Sequence, residues 1–247
     1  MSSSTSQAKY VKSLIRERIW RLMEELNIAD FPRPVFGRIP NFKGAREAAN
    51  KLTTLNIWST ASVVKSNPDS PQYPLRLKAL EEGKILVMAT PKLRSGFILI
   101  DPRKTPASKY QYAATIRGAF VYGRRVGLSE IPPVDIVVTG CVAVNHRGCR
   151  VGKGGGYSEL EYGILRELGL ITEQTPVVTT VHEVQVISDE IPLEVHDLTV
   201  DYYATPSRVV EVKPRGYKPR GIFWDLLKPE LRRLDVIREL ARLKNIP

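Results

Sequence analysis

Apolar residues along this 247-residue chain recur at two different periods. Over residues 9–26, Val11, Leu14, Ile15, Ile19, Leu22, Met23 and Leu26 fall at helical spacing and predict an amphipathic helix. Its polar face carries Lys12, Arg16, Arg18 and Arg21. The run Asp30-Phe31-Pro32-Arg33-Pro34-Val35 cannot continue that helix, because proline removes a backbone donor and fixes φ. A second helix is predicted over residues 44–52 and a strand over 59–64. Beyond them the pattern alternates. Residues 75–82 and 159–168 read as helices, and 84–89, 97–100, 134–138, 176–181, 198–203 and 208–212 as strands. Strands interleaved with helices predict an α/β fold with a parallel or mostly parallel sheet covered on both faces. The expected organisation is a disordered tail over residues 1–8 and an α/β domain over 9–212. A basic Pro/Gly linker and a terminal helix, expected at 230–243, follow within residues 213–247 and pack on that domain.

One stretch breaks both periods: Gly148-Cys149-Arg150-Val151-Gly152-Lys153-Gly154-Gly155-Gly156-Tyr157. It lies between the strand-like residues 134–144 and a helix-like segment. Glycines at this density let the backbone approach a ligand closely and turn its N–H groups inward. The helix that follows adds the positive end of its dipole, so the element suits an anion, phosphate above all. The spacing is neither that of a Walker A loop nor that of a dinucleotide fingerprint, since Gly154 follows Lys153 and Tyr157 stands where the last glycine would be. In an open α/β sheet such a loop belongs at the carboxyl ends of strands.

Charge supports an anionic partner. The net charge is +11 with a pI near 9.7, which favours nucleotides, polyanionic cofactors or nucleic acid, although a basic surface also serves solubility. Cys141 and Cys149 lack the companions of a zinc site and the spacing of a redox motif, so a reducing compartment is expected. No apolar stretch approaches a membrane span and residues 1–7 lack a signal-peptide core, so a cytoplasmic protein is expected.

Together these residues resemble the 5-formyltetrahydrofolate cyclo-ligase (methenyltetrahydrofolate synthetase) family. The match rests on Lys12 and Arg16 in the first helix, on Val134-Asp135-Ile136-Val137-Val138 with Gly140-Cys141-Val142-Ala143-Val144 and residues 148–159, and on His196-Asp197-Leu198-Thr199-Val200-Asp201-Tyr202-Tyr203. Further segments, among them Asn67-Pro68-Asp69, Thr90-Pro91-Lys92-Leu93-Arg94 and Leu160-Glu161-Tyr162, look like the branch termed methenyltetrahydrofolate synthetase domain-containing proteins. The resemblance implies a three-layer α/β fold of the NagB/RpiA/CoA-transferase type and an ATP- and Mg²⁺-dependent reaction. ATP would phosphorylate the formyl oxygen of 5-formyltetrahydrofolate, and a neighbouring folate nitrogen would displace phosphate to give 5,10-methenyltetrahydrofolate. It further implies ATP contacts at Lys12, Arg16, Arg150, Gly152, Lys153, Gly154, Gly155, Gly156 and Tyr157, with Lys12, Arg150 and Lys153 neutralising charge in phosphoryl transfer. The family's magnesium-side aspartate falls at Glu159.

The chain departs from the family on the folate side. Ser158 replaces a loop tyrosine, Val144-Asn145 replaces a Phe-Asp pair, and Ser70-Pro71-Gln72-Tyr73-Pro74-Leu75-Arg76 stands where a Glu-Val-x-Thr element is expected. The partner is therefore expected to be a reduced folate or a related pterin, with no residue assigned to it. The alternative is a nucleotide- or RNA-binding protein on the same fold, using Lys213, Arg215, Lys218 and Arg220; a sugar-phosphate or CoA-ester activity is a third. Plainer readings stand beside each feature. Lys12 and Arg16 could be a solvated face, Glu159 could complement a helix dipole, and His182 and His196 are expected to be structural. His146 is placed in the turn before the loop, within possible reach of a phosphate.

Overall fold

The computed structural model describes residues 2–213 and 216–246, with side chains from residue 6 onward. In chain order the helices are α1 (Ser2–Glu25), α2 (Ala45–Leu52), α3 (Asn56–Ser59), α4 (Tyr73–Glu81), α5 (Tyr110–Ala113), α6 (Ile116–Tyr122), α7 (Tyr157–Glu167), α8 (Pro229–Arg232) and α9 (Asp235–Lys244). The strands are β1 (Val63–Ser66), β2 (Ile85–Ala89), β3 (Phe97–Ile100), β4 (Arg124–Val126), β5 (Ile136–Val138), β6 (Ala143–Asn145), β7 (Arg150–Val151), β8 (Val177–Thr180), β9 (Val186–Ile187), β10 (Tyr202–Ala204) and β11 (Val209–Glu211). The main sheet runs β11-β10-β8-β5-β1-β2-β3-β4. Its centre, β10-β8-β5-β1-β2, is parallel, whereas β11, β3 and β4 pair antiparallel at the flanks.

Burial on both faces follows from the two-residue strand period. Val64, Leu86, Met88, Ile98, Ile136 and Val138 point to one layer, with Leu52 of α2 and Leu75 and Leu80 of α4. Their neighbours Val63, Val87, Phe97, Val137 and Val177 point to the other, against Leu160, Ile164 and Leu165 of α7 and Val236, Ile237 and Leu240 of α9. The result is helix, sheet, helix: the expected three-layer α/β arrangement. Each strand residue that crosses from water to one of these layers contributes about 1.5–3 kcal/mol when its apolar side chain is fully buried.

Several expectations shift in detail. α1 begins at Ser2 rather than at residue 9. The strand expected at 59–64 forms at Val63–Ser66, because α3 and its following turn take up the residues before it. The strand-like stretch 134–144 splits: β5 ends at Val138, and β6 and β7 form a hairpin in a separate small sheet, β7-β6-β9. The hairpin turn needs Gly148, whose φ is +74 and whose added Cβ would stand 2.3 Å from the Val200 carbonyl. The terminal helix is two helices, with Leu234 in extended conformation between them.

Candidate active site

Topology creates the site. β1 and β5 lie side by side, but the chain leaves β1 through α4 toward β2 and leaves β5 through α7 toward β8. The two connections part in opposite directions on opposite faces, and ligands of open α/β sheets bind outside the carboxyl ends of strands at such a reversal. A cleft of ≈ 780 Å³ opens there. Asn67 and Asp69 after β1, Thr90 and Lys92 after β2, the glycine loop and the first turn of α7 all line it, and α1 supplies Lys12 and Arg16.

Every residue that the family resemblance implied for the nucleotide and metal site reaches this cleft: Lys12, Arg16, Arg150, Gly152, Lys153, Gly154, Gly155, Gly156, Tyr157 and Glu159. Gly154 and Gly156 have φ of +97 and +76, values that other residues adopt only under strain. Arg16 Nε donates to the Gly152 carbonyl at 2.6 Å, fastening α1 to the loop. Burial lowers the Arg16 pKa, an effect opposed by Glu159 and Asp197.

Lys12, Arg150 and Lys153 are each held by a carboxylate. The Lys12 ammonium is in close contact with Asp197 and lies 3.2 Å from Glu194. Arg150 forms a close ion pair with Glu159 and donates to the Gly140 carbonyl at 3.3 Å, while its Nε is buried without a partner. Lys153 lies 3.0 Å from Asp69. The plain alternative of a solvated face for Lys12 is thus corrected: it is 6% exposed and points inward. Cations outnumber carboxylates along the lining, and an entering polyanion competes with the paired carboxylates for Lys12, Arg150 and Lys153.

Other groups in or beneath the lining were given no site role from the sequence. Lys65 and Glu161 form a close ion pair at the floor, with side chains only 1% and 4% exposed. Lys65 Nζ also donates to Asn67 Oδ1 at 3.0 Å, and Asn67 Nδ2 to Ser158 Oγ at 2.9 Å. Burial pushes the Glu161 carboxyl up, with Lys65 pulling the other way. The available signal was a lysine within a run that is otherwise strand core. His196 is not the satisfied structural histidine expected, since it lines the cleft and its Nδ1 is buried without a partner. His182 fits that reading better, with Nδ1 accepting from the Val184 N–H at 3.3 Å. Lys92 also lines the cleft, in left-handed conformation at φ 55. Tyr73 instead donates to the Gln111 carbonyl at 3.0 Å, and His146 sits in an exposed turn outside the cleft lining.

The cysteines are free, buried thiols, Cys141 before β6 and Cys149 at the end of the β6–β7 turn, and burial pushes Cys141 up to about 11, which keeps it protonated at neutral pH. Within the basic linker, Arg220 is exposed, whereas two of its other cations have carboxylate partners. Lys218 is 3% exposed, 2.6 Å from Asp201, and donates to the Glu173 and Thr175 carbonyls. Lys213 pairs with Glu211 at 3.0 Å, and Arg215 lies outside the described residues. Among the described residues no helix is long and apolar enough to cross a membrane.

Fold and cleft together define a class: an α/β protein with a glycine-rich loop at the switch point of a mostly parallel sheet. The profile of the 5-formyltetrahydrofolate cyclo-ligase family matches residues 8–206, and the chain belongs to that family. It is similar to methenyltetrahydrofolate synthase domain-containing proteins of Mus musculus, 45% identical over 233 residues, and Bos taurus, 44% identical over 233 residues. Each alignment covers 93% of this chain, and 63% and 61% respectively of those proteins, so the chain spans less than two thirds of their length. The NMR structure of Aquifex aeolicus 5,10-methenyltetrahydrofolate synthetase shares the fold, with a TM-score of 0.53 and 19% identity over 84% of this chain and 95% of that one.

Proposed function

We propose that the cleft binds ATP together with a formylated reduced folate, or a related pterin, and catalyses ATP-dependent cyclo-ligation. The observation that carries this reading is the convergence of the glycine loop, the α7 amino terminus and the cations Lys12, Arg16, Arg150 and Lys153 on one cleft in a member of this family. The amides of Gly154 to Gly156 and the helix dipole suit the phosphates. Arg150 and Lys153 turn from Glu159 and Asp69 toward the transferring group, and Lys12, held in position by Asp197 and Glu194, adds its charge to theirs. The terminal phosphoryl group passes from ATP to the formyl oxygen, leaving ADP. The neighbouring secondary amine of the folate, outside the pterin ring, then attacks the activated carbon and gives up its proton, and the C–O bond breaks to release phosphate carrying the former formyl oxygen.

Mg²⁺ is held through one or two carboxylates plus substrate phosphates rather than in an all-protein cage. Glu159, a single carboxylate beside the loop, fits that mode and would hold the ion against the phosphates. When bound, the ion supplies charge neutralisation between phosphate oxygens. The ligand atoms of Glu194, His196 and Asp197 lie within 4.8 Å of one another, but Glu194 and Asp197 already hold the Lys12 ammonium and position it.

The test is direct. Purified protein with ATP, Mg²⁺ and 5-formyltetrahydrofolate should release phosphate in step with a near-ultraviolet methenyl absorbance, and Lys153→Ala should slow both. Absence of methenyl product from every formylated pterin tried would sink the proposal.

A further inference from the structure

A second, smaller cavity lies against the glycine loop, walled by a segment beyond the family match at residues 8–206. Ile222, Phe223, Leu226, Leu227 and Leu231 make it apolar, and its volume is ≈ 90 Å³. That is several times the ~10–15 Å³ that admits one water, and apolar walls give water little to bond. The cavity is continuous with the large cleft, because Gly155, Gly156, Glu159, His196 and Lys228 line both. It is a built feature: Lys218 anchors the segment to Asp201, the Ile222 N–H donates to Glu167 Oε1 at 3.1 Å, and Arg232 donates to the Trp224 carbonyl at 2.6 Å. The partnerless Nδ1 of His196 stands on the shared wall.

A flat, apolar-faced ring with a polar edge suits such a pouch: its faces lie on leucine, isoleucine and phenylalanine, and its edge meets the wall that carries Glu159, His196 and Lys228. The loop amides on the adjoining wall suit phosphates. A nucleoside triphosphate carries both groups in one molecule, as the shared wall of Gly155 and Gly156 requires. We infer that the segment from Gly221 to Leu231 forms the base-binding pouch for the nucleotide whose phosphates occupy the glycine loop. This rests on the ATP reading of the loop, and it assigns nucleotide binding to a part of the chain that lies outside the family match.

The test compares two probes, ATP and inorganic tripolyphosphate, each with Mg²⁺, by titration calorimetry on the full chain. Wild type should bind ATP more tightly than tripolyphosphate. Leu227→Trp, which fills the pouch, should weaken ATP about tenfold or more while leaving tripolyphosphate unchanged. Leu226→Ala, at a position 58% exposed and thus safe for folding, should weaken ATP several-fold with the same selectivity. ATP affinity unchanged in both variants, each folded by circular dichroism, overturns the pouch alone. So does a rise in KM for the formylated pterin with ATP binding intact, which would give the pouch to the other substrate. If wild type binds neither probe, the ATP reading fails and the pouch assignment falls with it.

Discussion

Replacing Lys65 by methionine tests the electrostatics of the cleft floor. The pair it forms with Glu161 is almost fully buried on both sides. Removing one partner of such a pair leaves a charge without compensation, at a cost of ~3–5 kcal/mol. That is a large fraction of the ~5–15 kcal/mol by which whole domains are stable. Burial already drives the Glu161 carboxyl up even with Lys65 beside it. Without the ammonium, the folded state should hold Glu161 protonated well above its unfolded titration near ~4.3. The sign then follows. A carboxyl whose pKa is raised by folding binds more protons folded than unfolded, so stability falls as pH rises from the unfolded value to the folded one. The slope over that window is about 1.4 kcal/mol per pH unit. Urea unfolding of Lys65→Met should therefore show a deficit that is small near pH 5 and grows toward pH 7.5. The double variant Lys65→Met/Glu161→Leu should recover much of the loss and flatten the pH dependence. A Lys65→Met cost under about 1 kcal/mol, or a double variant as unstable as the sum of its single changes, would refute the argument.

Other predictions concern the loop and its supports. Lys12→Met should reduce ligase turnover by about 100-fold or more, and also cost about 2 kcal/mol of stability by leaving Asp197 and Glu194 without their cation; turnover assays and denaturation check the two effects separately. Gly154→Ala, at φ +97, should destabilise by about 1–2 kcal/mol, with its larger effect on ATP affinity, because the loop N–H must turn away; calorimetry reads the difference. Glu183 is pushed up by burial but held down to about 2 by hydrogen bonds from Ser207 and Thr205. Its contribution is present above the ordinary value of 4.5 and lost as pH falls toward 2, so Glu183→Gln should flatten the acid limb of the stability profile measured by thermal melts.

The layers were readable because their strands are short apolar runs with both faces buried, as at Ile85–Ala89, and because α7 keeps a helical apolar stripe. Direction was not readable. Phe97–Ile100 looks like any other buried strand, yet it pairs antiparallel with β2, and the short turn that reverses the chain at Gly96 carries no strong apolar signal. The cations of the cleft were visible because they cluster around glycines or share one helix face. Their carboxylate partners were not: Asp197 lies 185 residues from Lys12 and Asp69 lies 84 from Lys153, separations that only the tertiary fold closes. Lys65 was hidden for a different reason, since one lysine in a strand pattern reads as an outward-facing position until its buried counter-ion is seen.

The glycine loop is clasped from both ends of the described chain: Arg16 of α1 holds it from one side and the segment carrying Leu231 borders it on the other. During synthesis, the helix bearing Arg16 leaves the ribosome long before the segment bearing Leu231 exists. A nascent chain that has not yet reached Leu231 therefore lacks one wall of the loop's surroundings, and under the proposed function ligand capture would wait for that segment.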